Sequence, residues 1–184
     1  MAAIEAARYH NVFLMEAFMY RCAPQTARLV ELLKARAIGD VRLVQANFSY
    51  NMGPNYDNIR LRNDVAGGGI MDVGCYTLSM ARLVAGAAQG QDFAEPTEIK
   101  GVAHIGQGGV DEWATAAVKF PGDILATLAC GSQVGSDSTL RIWGTEGSIE
   151  VPNPWFPSRG AGAETAATIS SGPGAPTGGS ACRH

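Results

Sequence analysis

The sequence predicts an α/β (α+β) chain: a mixed, mostly antiparallel open sheet with helices on one face, preceded by the last helix–strand step of a doubly wound sheet. Three observations carry this. A nearly continuous apolar run, "NVFLMEAF", closely follows a short helical segment and suits a parallel strand buried between layers. Two stretches, "PQTARLVELLKARAIG" and "IMDVGCYTLSMARLVAG", carry apolar residues at helical spacing. Beyond them, strand-like segments follow one another with short turns between, the pattern of an antiparallel meander.

In chain order, "AAIEAARYH" reads as a helix with Ile4, Ala7 and Tyr9 turned inward, yet Met1-Ala2-Ala3 offers no N-capping side chain. The beginning therefore reads as cut, with the other strands of the doubly wound sheet missing. The apolar run at residues 11–18, interrupted by Glu16, is the expected buried strand. In the next helix Pro24 suits the first turn, Leu29, Leu32 and Leu33 form the apolar stripe, and Gly39 is the expected stop. "DVRLVQANFSYN" is a long strand in which Val41, Leu43, Gln45, Asn47 and Ser49 alternate with Arg42, Val44, Ala46, Phe48 and Tyr50. That alternation is imperfect, so the buried face stays open. A polar loop, "MGPNYDNIRLRND", leads to three glycines and the second helix. "TEIKGVAHIG", "VDEWATAAVKF", "DILATLACGSQ", "STLRIWGT" and "GSIEVP" supply the remaining strands, with Trp113 and Trp143 expected in sheet packing or at a subunit contact. After "VPNPWFPS" the pattern stops. Residues 158–184 have the Gly, Ala, Ser, Thr and Pro composition of a disordered tail, and read as a replaced or out-of-frame end.

With 17% charged residues and a formal net charge of −3, the chain gives no electrostatic reason to expect nucleic acid or an anionic membrane as partner. No apolar run approaches the roughly 20 residues needed to cross a bilayer. The four cysteines stand far apart without a C-x-x-C pair, and the three histidines are scattered, so no metal site is predicted and a reducing cytoplasm is expected.

The stretch that carries chemistry is "AGGGIMDVGCYTLSMARLVAG", Ala66 to Gly86. Asp72 and Tyr76 stand at i and i+4, which a helix places on one face about a turn apart. One reading is structural: a carboxylate at a helix start is worth about 0.3–1 kcal/mol, and the tyrosine is core. The other is an acid/base relay of the kind that removes a hydroxyl proton during alcohol oxidation. Gly67, Gly68 and Gly69 permit positive φ and close backbone approach. Gly74 costs about 1 kcal/mol inside a helix, so either a ligand or the sheet packs closely there. Arg21 follows the apolar run, where α/β sheets bind ligands, or else forms a surface pair with Glu16. Arg60 and Arg62 precede the glycines and either contact substrate or cofactor phosphate or are simply solvated.

"FLMEAFMYRCAPQTARLVELLKARAIGDVRLVQANFSYN", then the stretch from Ala66 to Gly86, then "GTEG", resemble the glucose–fructose oxidoreductase, inositol dehydrogenase and MocA-like (Gfo/Idh/MocA) family over roughly Ile4 to Pro157. The resemblance is strongest to its sugar and trans-dihydrodiol dehydrogenase branch. It implies a Rossmann domain that binds NAD(P), a second domain built on a large sheet, and a substrate between the two. Residues 1–20 are then a remnant of the NAD(P)-binding domain, 21–157 the substrate and oligomerisation domain, and 158–184 the tail. By resemblance Asp72 and Tyr76 are catalytic, while Arg21, Arg62 and Gly74 lie near substrate or cofactor. The family's G-x-G-x-x-G fingerprint and the lysine of its E-K-P motif do not occur in these residues, and Ala23 stands where many relatives carry histidine. The resemblance thus implies the substrate-binding domain of an NAD(P)-dependent oxidoreductase acting on a sugar, polyol or dihydrodiol, inactive by itself and able to dimerise through its sheet. The alternative is a non-catalytic remnant or dimerisation module.

Overall fold

The computed structural model describes residues 2–157 and 168–171. Seven strands form one sheet: β1 (Val41–Ser49), β2 (Glu98–Ile105), β3 (Asp111–Phe120), β4 (Ile124–Gly131), β5 (Leu140–Gly144), β6 (Gly147–Val151) and β7 (Thr168–Ser171), in the order β2-β3-β4-β1-β5-β6-β7. Within it β1 and β4 run parallel, and every other neighbouring pair is antiparallel. The mixed, mostly antiparallel sheet with helices is thus the observed architecture. Three α-helices, α1 (Ala2–Tyr9), α2 (Pro24–Lys34) and α3 (Cys75–Ala88), complete the described elements, together with short 3₁₀ turns and one π-helical turn. No described helix is long and apolar enough to cross a membrane.

The ambiguous alternation of β1 resolves in favour of Val44, Ala46 and Phe48, which are buried beneath the helices. A register shift between Val41 and Leu43 breaks the period at the strand's start, which is why the pattern read imperfectly. Helix α3 is buried along Met80, Ala81, Val84, Ala85 and Ala87, and its small residues let it lie close to β1. Tyr20 and Trp155 close the core: the Tyr20 hydroxyl donates to Ser79 Oγ at 2.9 Å, and Trp155 Nε1–H donates to the Asn47 carbonyl at 2.8 Å. Each fully buried large apolar side chain contributes about 1.5–3 kcal/mol.

Several expectations change. The apolar run at residues 11–18 forms no ladder, and Val12, Phe13, Leu14 and Met15 are exposed. None of the described strands lies beside it, so its apolar character has no sheet to join. Helix α1 forms as expected but buries none of its residues. Helix α2 ends before Gly39: Arg36 adopts positive φ, and the Ala37 N–H returns to the Leu32 carbonyl at 3.0 Å, a Schellman closure. Trp113 and Trp143 lie on the sheet face away from the helices and remain 41% and 37% exposed, whereas the tryptophan in the core is Trp155. Within the expected tail, Thr168–Ser171 pairs with β6 as an edge strand, consistent with its β-branched Thr168 and Ile169. The rest of that tail lies outside the described residues.

Candidate active site

The parallel ladder places the carboxyl ends of β1 and β4 side by side, with Ser49 opposite Gly131. The Tyr50 N–H extends this pairing to the Gly131 carbonyl at 3.0 Å, and Met52 N–H to Ser132 at 3.0 Å. Two elements converge on that edge, the 51–69 loop and the entrance to α3.

In the loop, Asn58 caps a 3₁₀ turn, Ile59–Leu61, by accepting the Arg60 N–H at 3.0 Å, and Leu61 is fully buried. The buried Leu61 sends its neighbours different ways. Arg60 Nε–H donates to Asp72 Oδ1 at 2.9 Å, while Arg62 pairs with Asp64.

The helix does not begin as a plain α-helix. Ile70–Gly74 form a π-helical turn, and the Cys75 N–H bonds back to Ile70. Such wider turns recur at functional sites. The Asp111 carboxylate accepts the Ile70 N–H at 2.6 Å and so occupies the helix entrance. The glycines serve this packing. A Cβ on Gly67 would meet the Ile59 carbonyl at 2.5 Å, and one on Gly68, at φ +123°, would meet Asp111 Oδ1 at 2.3 Å. A Cβ on Gly74 would stand 2.8 Å from Cys130 Sγ on β4, so this glycine serves close helix–sheet packing.

Asp72 is thereby turned towards β1. Its Oδ2 accepts a short hydrogen bond from the Tyr50 hydroxyl and its Oδ1 accepts from Arg60. Burial, reinforced by that bond to a carboxylate, pushes the Tyr50 phenol up to about 12. Tyr76 points instead into an aromatic cluster, with its ring 4.9 Å from Phe18, 5.5 Å from Phe48 and 6.2 Å from Trp155. Burial foremost, then the nearby Cys75, Asp72 and Glu16, raises the Tyr76 phenol. It is a neutral hydroxyl at ordinary pH, available to donate.

The structure therefore brings Asp72, Tyr76 and Gly74 together on one short segment, without a hydrogen bond between Asp72 and Tyr76. It does not bring Arg21 or Arg62 to Asp72. The Arg21 guanidinium stacks over Phe93 at 4.5 Å, beside Leu83 and Ala87 farther along α3. Tyr50 is the residue that sequence reasoning missed. It continues the Val44–Ala46–Phe48 face at the carboxyl end of β1, a signal readable once the buried face is known. Arg60 and Arg62 carry the same sequence signal, and spacing alone does not separate them.

The entrance of the second helix does not fit a dinucleotide pyrophosphate. The Ile70 N–H there is already taken by the Asp111 carboxylate, which repels an anion, and the glycines face that carboxylate and the Ile59–Arg60 backbone. Among the described residues no group of three or more His, Cys, Asp or Glu side chains is placed to hold a metal ion.

The model of the GFO/IDH/MocA C-terminal domain matches residues 26–150. The chain belongs to the Gfo/Idh/MocA family. Among its relatives is D-xylose 1-dehydrogenase (NADP(+)) 2 of Haloferax volcanii, 36% identical over 146 residues, which cover 79% of this chain and 42% of that protein. The trans-1,2-dihydrobenzene-1,2-diol dehydrogenase of Xenopus laevis is 32% identical over 157 residues, covering 84% of this chain and 45% of that protein. A solved 3-ketoreductase from Actinomadura kijaniata, in complex with NADP and TDP-benzene, superposes with a TM-score of 0.76 at 23% identity, covering 91% of this chain and 49% of the other, and so shares the fold. The chain thus spans about half the length of these proteins.

Proposed function

We propose that this chain is the substrate-binding domain of an NAD(P)-dependent oxidoreductase acting on a CH–OH group of a sugar, polyol or dihydrodiol, and that by itself it is inactive. The observation that carries the reading is Asp72, an anchored carboxylate at the carboxyl end of the parallel β1/β4 pair, with the Tyr76 hydroxyl on the same segment. Ligands bind beyond the carboxyl ends of parallel strands in α/β sheets, where no ladder consumes the backbone groups. Asp72 retains acceptor capacity for a substrate hydroxyl, and in this reading Tyr76, whose ring packs among Phe18, Phe48 and Trp155, supplies a second, neutral hydroxyl from the same segment.

An uncharged substrate fits the electrostatics. Arg60 is paired with Asp72 and Arg62 with Asp64, so neither guanidinium at this end of the sheet offers an unmatched charge to a phosphate or carboxylate, while Arg21 lies away from Asp72, stacked on Phe93. The names of the xylose and dihydrodiol dehydrogenases support the same class. The cofactor site is largely absent from this chain, as the occupied helix entrance and the missing fingerprint suggest.

The test is a titration of the isotopically labelled chain with D-xylose, xylitol and a trans-dihydrodiol, followed by amide NMR, beside an NADPH titration followed by nicotinamide fluorescence. Saturable shifts at Tyr50, Arg60, Asp72 and Tyr76 with at least one polyol, together with no saturable NADPH signal, are expected. Tight NADPH binding would overturn the absence of a cofactor site, and silence towards all three polyols would overturn the substrate reading.

A second reading, a dimerisation module, is favoured by one observation. The sheet face away from the helices carries an exposed apolar strip in which Leu43 pairs across the ladders with Leu125 on β4 and Trp143 on β5. We propose that this strip forms a homodimer contact, which is compatible with the enzymatic role of the opposite side.

A further inference from the structure

We infer that Tyr50 and Arg60 are positioning residues that act together through Asp72, gripping one carboxylate oxygen each so that the remaining lone pairs face a substrate hydroxyl. This rests on the functional reading above. Three separate elements meet at the grip. Tyr50 ends β1, its backbone tied to Gly131. Arg60 sits in a capped turn anchored by the fully buried Leu61. Asp72 belongs to the π-helical turn.

Left alone, an aspartate on the irregular entrance of a helix would exchange between rotamers. Charge-assisted hydrogen bonds from two sides, each roughly twice as strong as a neutral one, select a single rotamer. A carboxylate accepts about four hydrogen bonds in total, so two donors leave capacity for substrate. The guanidinium also balances the aspartate's charge, which keeps the half-exposed pair neutral as a unit. Tyr50 is not itself the base: its proton is committed to Asp72 Oδ2. The value of such a grip is orientation, because a hydroxyl acceptor must be held within a narrow geometry to be effective.

The test uses the labelled chain with the variants Tyr50→Phe, Arg60→Gln, Arg60→Lys and the double variant Tyr50→Phe/Arg60→Gln, each checked for an unchanged amide spectrum away from the site. Two readouts are taken: the Asp72 Hα–Hβ couplings, which report its χ1 distribution, and the affinity for D-xylose. The expected result is one Asp72 rotamer in the wild type, averaging in Tyr50→Phe and in the double variant, and a retained rotamer in Arg60→Lys. D-xylose affinity is expected to fall about tenfold in Tyr50→Phe and in Arg60→Gln, with partial recovery in Arg60→Lys. A single unchanged rotamer in the double variant overturns the inference. Wild-type affinity in Tyr50→Phe, measured beside a further variant, Asp72→Asn, that abolishes binding, also overturns it while leaving the substrate reading intact. If D-xylose binds to none of the proteins, the substrate reading fails and the couplings alone decide whether the grip exists.

Discussion

The Tyr50 hydroxyl holds Asp72 only while it keeps its proton, and its folded pKa is raised from 10.0 to about 12. A raised folded value means that the bond's stabilisation is fully present below about pH 10, the unfolded phenol value, and is lost as pH climbs through the folded one. A hydrogen bond to a charged group contributes about 1.5–3 kcal/mol. Urea unfolding of the wild type and Tyr50→Phe should therefore differ by a constant amount of that order up to about pH 10, then converge towards about pH 12. Burial raises the phenol first and the bond to Asp72 adds to it, so a gap that stays flat throughout would mean that the phenol is neither buried nor bonded to the carboxylate. The subtraction matters, because Tyr20 and Tyr76 are also raised by burial and contribute alkaline losses common to both proteins. At this scale the sequence was partly legible. The spacing of Asp72 and Tyr76 marked the segment, yet it gave no view of Tyr50, because the register shift near Val41 blurred which face of β1 was buried. Nor did it rank Arg60 over Arg62: within a tight turn the direction of each side chain is set by the burial of Leu61 between them, which is a tertiary fact.

Helices and strands were legible where periodicity had a partner to pack on, and misleading where it did not. The stripe of α2 formed as expected, and so did β2-β3-β4 and β5-β6 as antiparallel neighbours. But β1 inserts between β4 and β5 and interrupts the expected meander, and residues 11–18 carry an apolar pattern with no described strand beside them. The end of α2 shows a subtler failure. Gly39 reads as the stop, but the helix has already closed at Arg36, which takes φ +56° without being glycine. Gly39, at φ +71°, serves a later close approach, where a Cβ would meet Thr145 Oγ1 at 2.2 Å. Opposite outcomes follow for two substitutions three residues apart. Arg36→Gly relieves a left-handed strain worth about 1–2 kcal/mol. It forfeits an exposed pair with Asp40 worth about 0–1 kcal/mol and adds unfolded-state entropy, so a net gain of about 0.5 kcal/mol is expected. Gly39→Ala, strained in φ and in space, should lose about 2 kcal/mol or more. Denaturant midpoints of the two variants decide both signs, and a destabilised Arg36→Gly would show that the side chain rather than the backbone closes the helix.

Across the whole molecule, the two faces of the sheet are unequal. One is sealed by α2, α3 and Trp155; the other leaves Leu43, Leu125 and Trp143 in a line across three strands, with Trp113 stacked on His104 near the β2 edge. Burying such a strip against its own copy is isologous, so every residue in it counts twice. A single charge placed in the strip is therefore carried into the contact from both copies and loses its hydration there. Leu125→Lys, at a position half-exposed in the single chain, leaves the core untouched while opposing the contact. Sedimentation equilibrium should show the wild type at twice the chain mass and Leu125→Lys at the chain mass, with similar urea stability per chain once dilution is allowed for. Tryptophan emission adds an internal check. Trp155 is already fully buried and should not respond to dilution, while Trp113 and Trp143 should shift to the red as the contact opens. A wild type that remains monomeric at high micromolar concentration, with emission independent of dilution, would remove the dimer and leave the open face to another partner, without touching the site that Asp72 marks on the opposite side.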